Sequence, residues 1–324
     1  MRKVKSFQEA VNDLSRFPVA NWVSSLWFVL HILKYGPSLL RSIVRILRAN
    51  LVKNEWITNE EDLLPIEVLI PCTEKDARTL NLVIRSVLEN SLNEITKINI
   101  VCPEKELVQI TAMVEDENFE CRIEIHNERK FINPTLYDEI VALLGKRAGH
   151  AIQQIVKICF VASSRAFGIL VLDSDTVILQ PVCWLDKHSN QVLYLSWENT
   201  PEHYNHLELL CERRFNRSLN TVTHHMLMQP EWVREFMGAS TENGINQFMM
   251  RAFELSNKEI ASIFSLDYLF YGLNAIEHHR QQVQIVRWCN ISSRFTDSVN
   301  RSSVIEELKT LFPYKSVSFH EWQN

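Results

Sequence analysis

The chain has 324 residues, 46% of them hydrophobic and 23% charged, with a formal net charge of −5. That length and composition support a buried core and exclude a disordered, collagen-like or wholly membrane-embedded chain. Its 7 glycines stand at 36, 145, 149, 168, 238, 244 and 272; neither G-x-G-x-x-G nor G-x-x-x-x-G-K-[ST] can be written with them, so a glycine-rich phosphate loop is excluded.

Charge divides the chain. Residues 1–53 hold nine Lys/Arg against two acids, net +7, and the remainder holds 25 against 37, net −12. The acidic body argues against nucleic acid as a ligand. In the basic segment, Phe17 to Leu33 carries no charge but includes Asn21, Ser24, Ser25 and His31, so it falls short of a spanning helix. No small-residue cleavage site marks a signal peptide. Beyond Pro37, Arg41, Arg45 and Arg48 share one helical face, with Leu39, Leu40, Ile43, Val44 and Leu47 largely opposite. Trp22 and Trp27 suit a headgroup boundary. Residues 17–53 therefore read either as a segment for an anionic membrane surface or as helices that dock on the body or on a second copy in a homo-oligomer. The domain plan is a helical segment over 1–54, a linker over 55–64 and one domain over 65–324. Seven cysteines without a C-x-x-C indicate a reducing, cytoplasmic setting with no disulfide framework or zinc site.

Past the linker, Ile66 to Ile70 reads as a strand ending at Pro71. A helix follows over Ala77 to Asn90, with Leu80, Val83, Ile84, Val87 and Leu88 on one face. A strand over Lys97 to Val101, a helix over Glu104 to Val114 and a strand over Arg122 to His126 complete an alternation that predicts an α/β domain with a parallel sheet at its start. Helices are expected over Pro134 to Leu144 and His150 to Ser163, then an apolar strand over Gly168 to Leu172. Gln191 to Trp197 and Thr221 to Met228 read as strands. Pro230 to Phe236, Ile245 to Glu254, Leu266 to Ile276 and Val304 to Leu311 read as helices, and Val317 to His320 as a last strand.

The apolar strand runs directly into Asp173-Ser174-Asp175. Ligands of open α/β sheets bind outside the carboxyl ends of the strands, and two carboxylates there make an oxygen-rich site for Mg²⁺ or Mn²⁺ completed by phosphate oxygens. A metal held so neutralises a diphosphate without any glycine loop. Gln153, Gln154 and Lys157 share about one helical face. His224 and His225 are adjacent in a strand segment, so at most one faces a site on either side of the sheet.

Four stretches in order, Ile70-Pro-Cys-Thr-Glu-Lys-Asp76, Gly149-His-Ala-Ile-Gln-Gln-Ile-Val-Lys157, Leu172-Asp-Ser-Asp175 and Asp267-Tyr-Leu-Phe-Tyr-Gly272, give the region from about Leu64 onward a resemblance to the GT-A fold of nucleotide-sugar glycosyltransferases. More narrowly it resembles an uncharacterised bacterial family of predicted glycosyltransferases of surface polysaccharide synthesis. His150 stands where that pattern has Trp, and Leu266-Asp267 where it has Ser-Glu. The resemblance implies a mixed sheet flanked by helices and a nucleotide-diphosphate sugar as donor. It implies a glycan or lipid-linked acceptor and Mn²⁺ or Mg²⁺ as cofactor. Asp175 would ligate the metal, and Asp173 would share it or bind the ribose. Thr73, Asp76, Gln153, Gln154, Lys157 and Ser174 would surround the donor, and Asp267 would act as general base. A late histidine completes the metal shell in many such enzymes, and His320, His278 and His279 are the candidates. Two other readings stay open: a haloacid-dehalogenase-like phosphatase with Asp173 as nucleophile, and an inactive scaffold of a polysaccharide assembly.

Overall fold

The computed structural model describes residues 63–115, 117–196, 201–256, 266–287, 290–292 and 316–319. The segment expected over 1–54, most of the 55–64 linker, the helix expected over Val304 to Leu311 and His320 lie outside the described residues. Strands β1 (Ile66–Pro71), β2 (Ile95–Cys102), β3 (Ile123–Asn127) and β4 (Ile169–Leu172) run parallel, and β7 (His225–Met228) closes the sheet antiparallel to β4, in the order β3-β2-β1-β4-β7. This is the helix-flanked mixed sheet that the sequence predicts.

Strand residues alternate between two faces, and here both faces are covered. Val68, Ile70, Leu170 and Leu172 join one core, while Leu69, Ile169 and Val171 join the other. Unbroken aliphatic runs are the signature of such doubly buried strands, and each fully buried Leu, Ile or Val adds about 1.5–3 kcal/mol. Helices α1 (Ala77–Asn90) and α2 (Leu107–Glu115) line the first face through Leu80, Val83, Ile84, Val87, Ile110 and Val114. The second face takes α3 (Pro134–Leu144), α4 (Ala148–Ser163), α5 (Pro201–Leu210), α6 (Pro230–Met237), α7 (Glu242–Glu254) and α8 (Tyr268–His278). Helix α4 lies deepest: its buried residues extend from Ala148 to Ala162 and include Gln154 and Lys157. An amphipathic surface helix would turn such groups outward.

Chain connectivity sets the site. From β1 the chain winds outward through β2 to β3, then crosses back to β4 on the other side of β1. The β1/β4 boundary is therefore the switch point where the following loops diverge and leave a crevice. Beyond the main sheet, β5 (Thr176–Ile178) pairs antiparallel with β10 (Ser316–Ser318), which pairs parallel with β9 (Asn290–Ser292), and β6 (Gln191–Leu195) pairs parallel with β8 (Val283–Arg287). Buried Asn93 ties this periphery to the sheet. Its Nδ2 donates to the carbonyls of Leu64 (2.8 Å) and Leu185 (2.6 Å), and its Oδ1 accepts from the Trp184 N–H (2.7 Å).

Several boundaries differ from the sequence reading. The strand expected from Thr221 begins only at His225. The hydroxyls of Thr221 and Thr223 bond instead to the carbonyls of Tyr268 and His225, and such local bonds compete with a ladder. His224 has φ +61°, outside any strand conformation. Helix α8 starts at Tyr268 rather than Leu266, with Asp267 as its N-cap. Helix α5 and strands β5, β8 and β9 are additional to the expected elements.

Candidate functional site at the carboxyl ends of strands 1 and 4

Strand β4 delivers Asp173 to the crevice, and the chain reverses there in a turn closed by Thr176 N–H to Asp173 C=O at 3.0 Å. The turn is fixed on three sides. Asp173 N–H donates to His224 C=O (2.9 Å), Thr79 Oγ1 at the start of α1 donates to Ser174 C=O (3.0 Å), and Phe319 N–H donates to Asp175 C=O (2.8 Å). Ser174 is buried. Thr73 and Asp76 stand across the crevice at the end of β1, with Thr73 Oγ1 donating to Asp76 Oδ2 at 3.0 Å. The expected donor-side residues Thr73, Asp76, Asp173, Ser174 and Asp175 thus converge on one switch point.

The chemistry at Asp173 is a closed charge network. Lys157 on α4 is 3% exposed, and its Nζ donates to Asp173 Oδ1 at 2.7 Å and to Asp267 Oδ2 at 2.8 Å. The same ammonium lies over the Tyr268 ring, 4.3 Å from its centroid, a favourable placement for a cation. Tyr268 O–H donates to Asp173 Oδ1 (2.8 Å), and His224 Nδ1 lies 2.9 Å from Asp173 Oδ2. Asp267 accepts the Tyr268 N–H through Oδ1 at 2.7 Å, so one carboxylate caps α8 and holds Lys157. Gln154, one turn before Lys157, accepts the Leu266 N–H and pairs with His150 Nε2 at 2.8 Å. Gln153 is half-buried and, among the described residues, makes no side-chain hydrogen bond to this network.

Burial opposes the charged forms of Asp173 and Lys157, and the neighbouring charges overcome it at both. For Asp173, burial works to raise the pKa, but the Lys157 ammonium and the His224 bond hold the carboxyl far below the usual range. For Lys157, burial works to lower the pKa, and Asp173 and Asp267 overcome it and hold the ammonium above the ordinary lysine range. Tyr268 is raised by burial and by the Asp173 and Asp267 charges, so it stays a proton donor. His203 on α5 is lowered by burial against the pull of Asp267.

His224 is the member that faces Asp173, in an uncommon backbone conformation for a non-glycine residue. His225 turns to the opposite side, buried against Trp184 and Tyr194 (ring centroids 5.5 and 5.1 Å), with Ser316 Oγ 3.3 Å from Nε2. Burial first, and the neighbouring His224, push its pKa down to about 3. Between the ordinary histidine value near 6.5 and about 3, the unfolded chain binds a proton that the folded chain refuses. Stability therefore falls as pH drops through that window, by up to about 1.4 kcal/mol per pH unit for one group. His225→Phe is expected to flatten this slope in urea midpoints measured at pH 7, 5.5 and 4.5; an unchanged slope would place the acid sensitivity elsewhere.

The carboxylate chemistry bears on a metal. Asp173 already accepts from Lys157, Tyr268 and His224, and it shares the Lys157 ammonium with Asp267. Both of its oxygens are thus engaged by the protein, and the metal-sharing role expected for it would use the lone pair that these three bonds leave. Asp175, on the outer limb of the turn, fits a hard divalent cation whose shell is filled by phosphate oxygens. Among the described residues no group of three or more His, Cys, Asp and Glu side chains could hold a metal. His278 and His279 are not at this site. They end α8, about 16 Å along the helix from Asp267 at 1.5 Å per residue, and contact Arg213 and Glu235. His320 lies outside the described residues. Tyr268 is a site residue that sequence reasoning did not single out, and His203 is near enough to feel the Asp267 charge. Tyr268 stands inside the quoted Asp267 to Gly272 stretch, and His203 lies on the unexpected helix α5.

No family model matches the chain, and no curated protein matches it. Among solved structures it is similar to mouse xyloside xylosyltransferase 1 in its apo form (TM-score 0.42, 12% identity, 79% of this chain, 97% of that one). It is similar too to the galactosyltransferase LgtC in complex with donor and acceptor sugar analogues (TM-score 0.37, 11% identity, 79% of this chain, 87% of that one).

Proposed function

We propose that this chain is a glycosyltransferase that takes a sugar from a nucleotide-diphosphate donor and passes it to a glycan or lipid-linked acceptor in surface polysaccharide synthesis. The observation that carries the reading is the Asp173-Ser174-Asp175 turn at the switch-point crevice, opposite Thr73 and Asp76. In this reading the nucleoside lies along Thr73 and Asp76, and Asp175 holds Mn²⁺ or Mg²⁺. When bound, that ion neutralises the diphosphate and the charge that develops on the leaving group. Lys157 fixes Asp173 against Asp267, so the negative centre beside the donor is set before substrate arrives and needs no reorganisation. Asp267 orients Lys157 here rather than taking a proton from the acceptor. Gln154 and Ser174 hold the walls of the site, and Gln153 stands at its margin.

The test incubates purified protein with UDP-, GDP- and CMP-sugars and Mn²⁺ and follows nucleotide release. One donor is expected to be turned over, and Asp175→Asn to lower the metal-stimulated rate at least about 100-fold, the range of a lost transition-state charge contact. Absence of turnover or binding with every donor, together with an indifferent Asp175→Asn variant, would refute the reading. Cleavage of a simple phosphomonoester lost in Asp173→Asn would support the phosphatase instead.

We propose also that residues 17–53 hold the chain peripherally on the cytoplasmic membrane face. Among the described residues no helix is long and apolar enough to cross a membrane. Removing residues 1–53 is expected to cut cosedimentation with phosphatidylglycerol vesicles at least tenfold; equal cosedimentation of both forms would rule this out.

A further inference from the structure

A second concavity lies away from the Asp173 crevice. It has a volume of about 910 Å³ and sits between the loop after β3, the end of α4 and the starts of α6 and α7. Small-molecule sites commonly enclose ~300–1,000 Å³. Its lining shares no residue with the Lys157, Asp173, Asp267 and Tyr268 network, or with Thr73, Asp76 and Asp175.

Arg129, Lys130, Arg165 and Arg234 line it against Glu231 and Glu242. That balance of four cations to two carboxylates runs counter to a chain whose residues beyond 53 sum to −12. The arrangement is partly built in. Arg234 Nη1 donates to the carbonyls of Ala162 (2.9 Å) and Ser164 (3.1 Å), which covers the negative end of α4 that would repel an anion. Arg129 lies over the Tyr137 ring at 3.9 Å and makes a surface ion pair with Asp138 at 3.5 Å, weak by its exposure. Lys130 and Arg165 are exposed and, among the described residues, have no ion-pair partner. Two helices also begin at the wall, α3 at Pro134 and α7 at Glu242. Between the charges the floor is apolar, formed by half-buried Phe131 over the buried side chains of Ile132, Ala162 and Ile245.

We propose that this cavity is a second ligand site, selective for a phosphate-bearing molecule with an apolar or ring-shaped body. Lys130, Arg165 and Arg129 take the phosphate, and the floor takes the body. A soluble organic phosphate and a phospholipid headgroup share that chemistry, so the experiment has an arm for each. The proposal is independent of the transferase reading.

The full chain is titrated calorimetrically with sodium pyrophosphate in EDTA, which removes any metal-borne contribution at Asp175. In parallel it is sedimented with phosphatidylglycerol vesicles, with phosphatidylcholine as blank. The variants are Lys130→Glu/Arg165→Glu and, as a control of equal charge change on an exposed face outside the cavity, Lys146→Glu/Arg147→Glu. Wild type is expected to bind in at least one arm, more weakly as salt rises. The first variant is expected to lose at least tenfold in that arm with an unchanged unfolding temperature, and the control to lose less than threefold. A loss confined to pyrophosphate assigns a soluble ligand, and a loss confined to vesicles assigns a headgroup. No binding in either arm, or equal losses in the two double variants, overturns the proposal.

Discussion

Lys157→Met is expected to destabilise the fold by about 3–5 kcal/mol, the usual consequence of removing one partner from a buried ion pair. The size follows from what is left behind. Met fills the volume of the lysine stem, so packing loss is small. Asp173 and Asp267, however, lose the one cation that lies between them at 2.7 and 2.8 Å. Two carboxylates then face each other without the ammonium between them, and their like charges repel. The pH dependence that Asp173 supplies weakens accordingly. In wild type the Asp173 carboxyl is held far below its usual range; its contribution is complete above the ordinary aspartate value and fades as pH falls below it. In the variant the Lys157 ammonium no longer favours the charged Asp173 carboxyl while burial still opposes it, so this contribution at neutral pH is largely lost. Urea unfolding at pH 7.5 and 5 reads both effects. The deficit of Lys157→Met is expected to be larger at pH 7.5, and Lys157→Met/Asp267→Asn to recover a substantial part of it. A deficit under 1 kcal/mol at pH 7.5, or one indifferent to Asp267→Asn, would mean that the network is ornamental to the fold.

Much of the architecture is legible in the chain because the parallel strands are buried on both faces. Ile66 to Ile70 and Gly168 to Leu172 can hardly be read otherwise, and Pro71 and Asp173 mark where they leave the sheet. Lys157 is partly legible: a charge inside the apolar turns of α4 demands a partner, and Asp173 is only 16 residues on. Asp267 is 110 residues away, and no local pattern links the two. The misses have the same cause. Strands β5 and β9 are three residues each and gain their pairing from a segment far away in sequence, so local propensity says little about them. Helix α5 begins Pro-Glu-His-Tyr-Asn-His, without a clean apolar stripe, and is held by burial of Tyr204, Leu207 and Leu210 that only tertiary structure supplies. His224 falls inside the strand read over Thr221 to Met228, but its backbone takes φ +61° and its side chain meets Asp173, which no local pattern announces.

Gly272→Ala should destabilise the protein, although alanine is the better helix former by about 1 kcal/mol. Gly272 lies one turn past Tyr268 in α8, facing Thr221. A Cβ there would come within 2.4 Å of Thr221 Oγ1, 2.5 Å of its Cβ and 2.7 Å of its Cγ2. No real contacts are that short, and the atom at 2.5 Å is rooted on the backbone, so the side chain cannot rotate away. Overpacking of this kind costs about 1–3 kcal/mol, enough to reverse the propensity gain. Thr221 is also bound to the helix through its hydroxyl, which donates to Tyr268 C=O at 2.8 Å. The only relief is a shift of α8 away from Thr221, and that shift carries Asp267 and Tyr268 off Lys157 and Asp173. Stability and nucleotide-sugar turnover should therefore fall together. The choice of second-site variant separates this account from a general intolerance of the helix. Thr221→Ala leaves the offending Cβ and removes the hydroxyl, so it should not rescue Gly272→Ala. Thr221→Gly removes all three clashing atoms and should restore part of the lost stability, whatever it costs in the wild-type background. Thermal and urea unfolding of the four chains decides the matter, and a Gly272→Ala protein as stable as wild type would show that α8 and Thr221 are not in the close contact on which the placement of Asp267 depends.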